Sequence, residues 1–193
     1  MRKIIVGEFV SLDGVMQAPG GVDEDTDGGF DQGGWAMRNW HDDLGPHIFA
    51  TIGSCDALLV GRKTWQTHGA AFEPMPEEQD PFAGMRKYVV STTLKSADAW
   101  RNSMLISDNV VEAIRQIKAE AGKDIYVDGS SVLVHTLARH NLVDEYKLLV
   151  FPLILGKGKR LFPDGWQANL ELLSSQTFPN GVVSLHYQPR QMD

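Results

Sequence analysis

Two segments of the sequence have the pattern of a β-strand that runs directly into an α-helix. Residues 57–65 read Ala-Leu-Leu-Val-Gly-Arg-Lys-Thr-Trp, and residues 125–132 read Ile-Tyr-Val-Asp-Gly-Ser-Ser-Val. In both, an apolar run ends in glycine or small hydroxyl residues, which is the arrangement that directs backbone N–H groups toward a phosphate. Two such junctions predict an α/β fold that holds the two ends of one dinucleotide.

The side chains at these junctions predict which dinucleotide is bound. Arg62 has a planar guanidinium that suits a phosphate monoester such as the extra 2′-phosphate of NADPH. Ser91 ends a neighbouring predicted strand on the same carboxyl edge of the sheet, so Arg62, Thr64 and Ser91 are expected to surround one phosphate. The predicted cofactor-binding residues are Gly61, Arg62, Lys63, Thr64, Ser91, Thr92, Gly129, Ser130, Ser131 and Val132.

Length and charge favour one globular enzyme domain over residues 1–193. A chain of 193 residues can bury a sizeable core but is short for two domains. A net charge of −7 argues against a surface that tracks nucleic acid. No stretch approaches the roughly 20 apolar residues of a membrane span, so we expect a cytoplasmic protein without a membrane partner. The single cysteine, Cys55, is interpreted as a small buried residue rather than a nucleophile.

Hydrophobic periodicity predicts alternating strands and helices followed by strands alone. Apolar stripes at helical spacing include Leu44, Ile48 and Ile52, and a second stripe starts at Val110. Further helices are expected directly after Gly61 and over residues 131–140. Strands are predicted over residues 3–10, 57–60, 87–91, 124–127, 145–151, 170–178 and 182–187. This order indicates a mostly parallel sheet with an antiparallel edge.

Two segments carry charge patterns that imitate ligand sites. Asp23, Asp25, Asp27 and Gly28 match the first half of a calcium-binding EF-hand loop, but the twelfth position is Gly34, where a bidentate Glu is required. We therefore predict no metal, and interpret residues 11–39 as a long solvated loop of the kind that often forms a lid. The basic residues 156–160 are interpreted as a turn between strands, with contact to an anionic substrate as the alternative.

Several segments together resemble a known family. Residues 61–65, Gly-Arg-Lys-Thr-Trp, resemble the Gly-Arg-x-Thr-Trp segment with which dihydrofolate reductases bind the 2′-phosphate end of NADPH. The segments at residues 10–14, 55–61 and 141–156 look like the reductase domain of bacterial riboflavin biosynthesis. The resemblance implies a three-layer dihydrofolate-reductase-like α/β fold with a mostly parallel sheet, antiparallel C-terminal strands and flanking helices. It also implies a stand-alone form, since no His-x-Glu with Pro-Cys-x-x-Cys of a zinc deaminase is present.

The resemblance assigns roles to acidic and aromatic residues. Asp128 matches the family glutamate that faces substrate, and Asp13 resembles the position at the end of the first strand, so both are predicted to be catalytic. For Asp13 a turn is the alternative, because Asp-Gly is a common turn pair. Dihydrofolate reductases hold the pterin with an acidic residue on the first helix, and Asp42 and Asp43 are the nearest acids to that position here. An equally good alternative is that they complement the dipole of the helix that follows. Trp40 is predicted to stack on a flat substrate ring, with a core position as its alternative, and the same two readings apply to Trp35.

At the second junction the sequence departs from the family. Ser130 replaces a glycine, which changes how closely a pyrophosphate can approach, although its hydroxyl is also a candidate helix cap.

The expected activity is reduction by NADPH of a substrate similar to 5-amino-6-(5-phosphoribosylamino)uracil, the ribosylaminopyrimidine reduced in riboflavin biosynthesis. Two alternatives stay open. A dihydrofolate reductase would require a carboxylate at the pterin, and a non-catalytic NADP-binding module would bind the cofactor without turning over an acceptor. Apolar edge strands in the tail predict a homodimer.

Overall fold

The computed structural model describes residues 1–190 and contains one eight-stranded sheet with the strand order β4-β3-β2-β5-β1-β6-β8-β7. The strands are β1 (Ile4–Ser11), β2 (Cys55–Gly61), β3 (Arg86–Val90), β4 (Ser103–Ile106), β5 (Asp124–Val127), β6 (Glu145–Phe151), β7 (Leu170–Thr177) and β8 (Val183–Pro189). The helices are α1 (Trp35–Arg38), α2 (Leu44–Gly53), α3 (Arg62–Phe72), α4 (Val110–Ala119) and α5 (Ser131–Arg139), and a 3₁₀ turn covers Asp27–Gly29.

The pairing of the strands confirms the predicted fold class. β2 pairs in parallel with β3 and β5, β5 pairs in parallel with β1, and β3 pairs in parallel with β4. The C-terminal strands differ, because β8 is antiparallel to both β6 and β7. Continuous apolar runs such as Ile125–Val127 are buried, as expected for strands of a sheet that is covered on both faces.

The chain divides into two compact units. The first unit contains Met1–Val6 and His47–Asp144, and within the described residues the second contains Gly7–Pro46 and residues 145–190. The one-domain organisation stays a prediction.

The first unit is built around an aromatic and aliphatic core. Leu58 and Val60 of β2 are fully buried, and Trp65 and Trp100 are at most 5% exposed. Trp100 also fixes the packing of α3, since a Cβ at Gly69 would lie 3.3 Å from the Cβ of Trp100. Cys55 is buried at the start of β2, as the sequence predicts.

The second unit has its own core around Phe151. Trp35 is 1% exposed, contacts Phe151 edge to face and donates its Nε1 hydrogen to the Gln17 carbonyl over 2.8 Å. Trp35 is therefore a core residue. At the edge of the sheet, β7 is exposed along almost its whole length, including Leu172 and Leu173. The homodimer stays a prediction.

No helix within residues 1–190 combines the length and apolar character needed to cross a membrane.

Candidate functional site

The parallel strands of the first unit end at one edge of the sheet. Gly61 at the end of β2 is in register with Val90 at the end of β3, and Leu59 of β2 is in register with Val127 at the end of β5. The residues that follow these strands consequently leave the sheet side by side. This edge includes every residue predicted to bind the cofactor.

The two strand-to-helix junctions are in direct contact. Thr64 Oγ1 lies 3.3 Å from Ser130 Oγ. A Cβ at Gly129 would lie 2.8 Å from Thr64 Oγ1, and a Cβ at Gly61 would lie only 2.1 Å from Ser130 Oγ. Both glycines are therefore required by close approach, and Gly129 also has a left-handed backbone with φ +78°.

Helices α3 and α5 both begin at this contact without a side-chain cap. Gly61 precedes α3 and Ser130 precedes α5, and neither makes a side-chain capping hydrogen bond. The expectation that the Ser130 hydroxyl caps its helix is wrong. Ser130 has φ +74°, and its hydroxyl meets Thr64 instead. A helix start without a side-chain cap is suited to bind an anion.

Arg62 is placed at the start of α3. Its Nη1 donates to Gln66 Oε1, one turn further along, over 3.0 Å. Within residues 1–190 its guanidinium makes no ion pair. A full positive charge whose hydrogen-bond partner is a neutral amide stays suited to a phosphate. Lys63 and Val132 at the two helix starts are exposed.

The turn after β3 uses Ser91 for local structure. Ser91 Oγ accepts hydrogen bonds from the N–H groups of Thr93 and Leu94, each over 3.1 Å. The hydroxyl of the buried Ser91 thus shapes the turn, while Thr92 exposes its side chain at the same edge.

Asp128 follows β5 and pairs with a residue that the sequence analysis missed. Its Oδ2 lies 2.9 Å from His68 Nε2 on α3. One signal was available: His68 is four residues after Thr64, so the two share a face of the helix. A predicted helix start that places Thr64 beside the second junction also places His68 on the side that faces β5.

Asp13 lies in the second unit and is held by three donors. Its carboxylate accepts hydrogen bonds from the Ser11 hydroxyl over 2.6 Å and from the N–H groups of Leu155 and Gly156 over 3.1 and 2.8 Å. Partial burial alone would raise the pKa of Asp13, but these hydrogen bonds outweigh it and hold the pKa below its usual range. Asp13 thereby ties the turn after β1 to the segment after β6, and its catalytic role stays a prediction.

The predicted substrate residues of the second unit lie near the start of α2. Trp40 is 37% exposed and packs on Phe9 with ring centroids 6.2 Å apart. Asp42 and Asp43 are exposed immediately before α2, and the Asp43 N–H donates to His41 Nδ1 over 3.3 Å. Their position suits the helix-dipole role, and contact with substrate stays a prediction.

The acidic loop and the basic segment of the second unit neutralise each other. Lys159 Nζ binds Asp25 and also binds Asp27 over 2.9 Å, while Lys157 Nζ lies 3.0 Å from Asp31. These pairs favour the structural interpretation of residues 156–160. Over residues 1–190 no three His, Cys, Asp or Glu side chains converge in a way that could hold a metal ion.

Comparison with known proteins gives one family match that covers nearly the whole chain. The model of the RibD C-terminal domain family matches residues 2–184. The uncharacterised protein YyaP of Bacillus subtilis (strain 168) is 31% identical over 96% of this chain and 94% of its own length. The uncharacterised protein YwjB of the same organism is 26% identical over 96% of this chain and 97% of its own length.

Solved structures show the same fold. A candidate riboflavin biosynthesis protein from Shewanella sp. PV-4 superposes with a TM-score of 0.75 at 20% identity, covering 98% of this chain and 99% of that one. A pyrimidine reductase-like protein from Corynebacterium diphtheriae gives 0.70 at 14% identity, over 99% and 93% of the two chains. Dihydrofolate reductase from Enterococcus faecalis, complexed with NADP(H), gives 0.63 at 15% identity, over 98% and 97%.

Proposed function

The chain belongs to the RibD C-terminal domain family, and we propose that it is an NADPH-dependent reductase acting on a ribosylaminopyrimidine phosphate or a close relative of one. The observation that carries the proposal is the contact between the two uncapped helix starts, with an Arg62 guanidinium that no carboxylate of residues 1–190 neutralises. The site thus combines donors and positive charge, as an anionic cofactor requires.

The residues of the first unit suit the two phosphate-bearing parts of NADPH. Arg62, Thr64 and Thr92 would hold the 2′-phosphate through charge-assisted and hydroxyl hydrogen bonds, and the N-terminal turn of α5 after Gly129 would hold the pyrophosphate. When bound, NADPH supplies the hydride. The protein binds and orients the reactants, and reduction of an electrophilic, imine-like carbon next to nitrogen does not require a strong protein acid.

Asp128 is the proposed contact of the protein with substrate in the first unit. Its side chain is 31% exposed at the end of β5, where one carboxylate oxygen pairs with His68. An ionised carboxylate only accepts hydrogen bonds, so it is suited to the hydroxyl and N–H groups of a ribosylamino substrate.

The alternative of a dihydrofolate reductase is favoured by the shared fold but not by the placement of the acids. A pterin reductase protonates a ring nitrogen as hydride arrives, which calls for a carboxyl group shielded from water. Asp42 and Asp43 are both exposed.

Turnover assays and binding measurements with NADPH distinguish the two reductase activities from each other and from a non-catalytic module. We expect oxidation of NADPH with a ribosylaminopyrimidine phosphate and none with dihydrofolate. Replacing the charged acceptor in Asp128→Asn should lower kcat/KM about tenfold or more, whereas Asp42→Asn and Asp43→Asn should change it little. Efficient dihydrofolate reduction that Asp42→Asn or Asp43→Asn abolishes would establish a pterin reductase. Tight NADPH binding without turnover of either acceptor would indicate a non-catalytic module.

A further inference from the structure

His68 and Asp128 form a pair between a helix and the end of a strand. The Nε2 atom of His68 lies 2.9 Å from Oδ2 of Asp128, and the two side chains are 17% and 31% exposed. Within residues 1–190 this is the one hydrogen bond that the Asp128 carboxylate makes. The second oxygen, Oδ1, therefore has no protein donor in the described part of the chain.

Packing holds the imidazole ring of His68 in place. The ring stacks on Phe82 with centroids 5.7 Å apart and an angle of 30° between the planes. Phe72 and Trp100 form T-shaped pairs with it at centroid distances of 5.6 and 6.3 Å. Phe82 and Trp100 are 2% and 1% exposed and belong to the core of the first unit. A ring enclosed by core aromatics has a defined orientation, and so does its Nε2 atom.

The chemistry of the pair determines which atom carries the hydrogen. A carboxylate oxygen accepts, so His68 Nε2 must be protonated to bind it. Both the Nε2–H neutral tautomer and the imidazolium meet this condition. In either state, His68 binds Oδ2 and leaves Oδ1 as a remaining acceptor.

We infer that His68 is a positioning residue that orients Asp128 so that Oδ1 accepts a hydrogen bond from a hydroxyl or N–H group of the substrate. The inference rests on the proposed function, because the contact between Asp128 and substrate belongs to that proposal. His68 acts through Asp128 and does not itself touch the reacting atoms. Orienting the carboxylate before substrate arrives avoids the loss of side-chain freedom on binding.

A double-mutant cycle tests whether His68 acts through Asp128. His68→Phe keeps a ring against Phe82 but removes the donor, and Asp128→Ala removes both acceptor oxygens. We expect His68→Phe to lower kcat/KM about tenfold to a hundredfold, as for other hydrogen bonds to charged groups. The double variant should lose no more than Asp128→Ala alone, since the effect of His68 requires the carboxylate.

Two further variants separate positioning from packing. His68→Gln offers an N–H donor at similar reach and should recover part of the lost activity. His140→Phe makes the same exchange at an exposed histidine just after α5 and should leave kcat/KM and KM unchanged. The positioning role would be overturned if the losses of kcat/KM in the two single variants added up in the double variant. It would also be overturned if His68→Phe and His68→Gln lost equal amounts of kcat/KM.

The pair itself can be observed without turnover. In ¹⁵N spectra of the histidine rings, the signals of His68 are those that disappear in His68→Phe. We expect a protonated Nε2 in the unmodified protein and a shift of its signal in Asp128→Ala. An Nδ1–H tautomer with a bare Nε2 would overturn the inference. An intact pair in a protein that turns over no ribosylaminopyrimidine would overturn the proposed function, and with it the substrate role of the pair.

Discussion

The carboxyl edge of the parallel strands and the acidic loop of the second unit use charged residues in opposite ways. In the loop, Asp25 and Asp27 share the cation of Lys159, and Lys157 pairs with Asp31, so both lysines that follow β6 form ion pairs within the protein. At the edge, the one partner of the Arg62 guanidinium among residues 1–190 is the neutral amide of Gln66. Charge that the protein neutralises contributes to the fold, whereas charge that it leaves without a counterion is suited to a ligand.

Short motifs do not show this difference. Residues 61–65 and 156–160 both combine glycine with lysine and arginine, and both look suited to a phosphate. What separates them is whether a distant acidic segment reaches the cations, and that is a property of the fold. Three substitutions test the contrast.

The largest effect is expected at Arg62. If its guanidinium binds the 2′-phosphate, Arg62→Ala should weaken NADPH binding roughly tenfold to a hundredfold and leave NADH binding unchanged, because a hydrogen bond to a charged group is worth about 1.5–3 kcal/mol. Fluorescence titrations with both cofactors measure this. Lys157→Met is the matched control, since its cation is paired with Asp31, and it should alter neither affinity. Equal affinity of the unmodified protein for NADPH and NADH would refute the assignment of Arg62.

A smaller effect, on stability instead of binding, is expected at Lys159. Lys159→Met keeps the aliphatic stem but removes the cation that Asp25 and Asp27 share, and it should lower the free energy of unfolding by about 1–2 kcal/mol. Urea titration is the measurement. Lys157→Met, with both partners of its ion pair more than half exposed, should cost less than about 0.5 kcal/mol. Equal losses of unfolding free energy in the two variants would remove the distinction between a half-buried and an exposed ion pair. Weaker NADPH binding in Lys159→Met would instead place residues 156–160 in the cofactor site.

The smallest effect is expected at Asp13 and depends on pH. The folded-state pKa of Asp13 lies below its unfolded value, so the carboxylate adds stability that is fully present above the unfolded pKa and is lost as the pH falls through the folded one. Asp13→Asn should lower the free energy of unfolding by about 1 kcal/mol near neutral pH. The difference from the unmodified protein should shrink below about pH 4. The exposed Asp98 supplies the control, Asp98→Asn. A difference that does not change with pH would mean that Asp13 is not held by its donors.

Elements that are buried on both faces were predictable from the sequence. The predicted bounds of β5 and β6 agree with the structure residue for residue, because most of their residues are apolar and buried and both strands are bordered by charged residues or proline. β4 was not predicted: its four residues form an edge strand in which Met104 is 48% exposed, so the apolar signal is weak. Helix α1 also has only four residues, too few for a helical period to be recognised.

The residues of the candidate site also differ in how well the sequence predicts them. Residues 61–64 and 129–132 were predictable because each set is contiguous, and the geometry of one strand-to-helix turn depends on neighbours in the sequence. Contacts between distant side chains were not predictable. His68 meets Asp128 across 60 positions, and Lys159 meets Asp25 across 134. Such residues come together only when the strands, helices and loops have packed against each other.

The contact between Gly61 and Ser130 restricts the order in which this site can evolve. A Cβ at Gly61 would lie 2.1 Å from Ser130 Oγ and 2.8 Å from Ser130 Cβ, so a change at position 61 alone meets an obstacle that turning the hydroxyl cannot remove. Ser130→Gly, by contrast, removes the obstacle and also relieves a left-handed backbone that serine rarely adopts. Descendants of this sequence are therefore expected to reach a larger residue at position 61 only after glycine has been acquired at position 130, and lineages that keep Ser130 should retain Gly61.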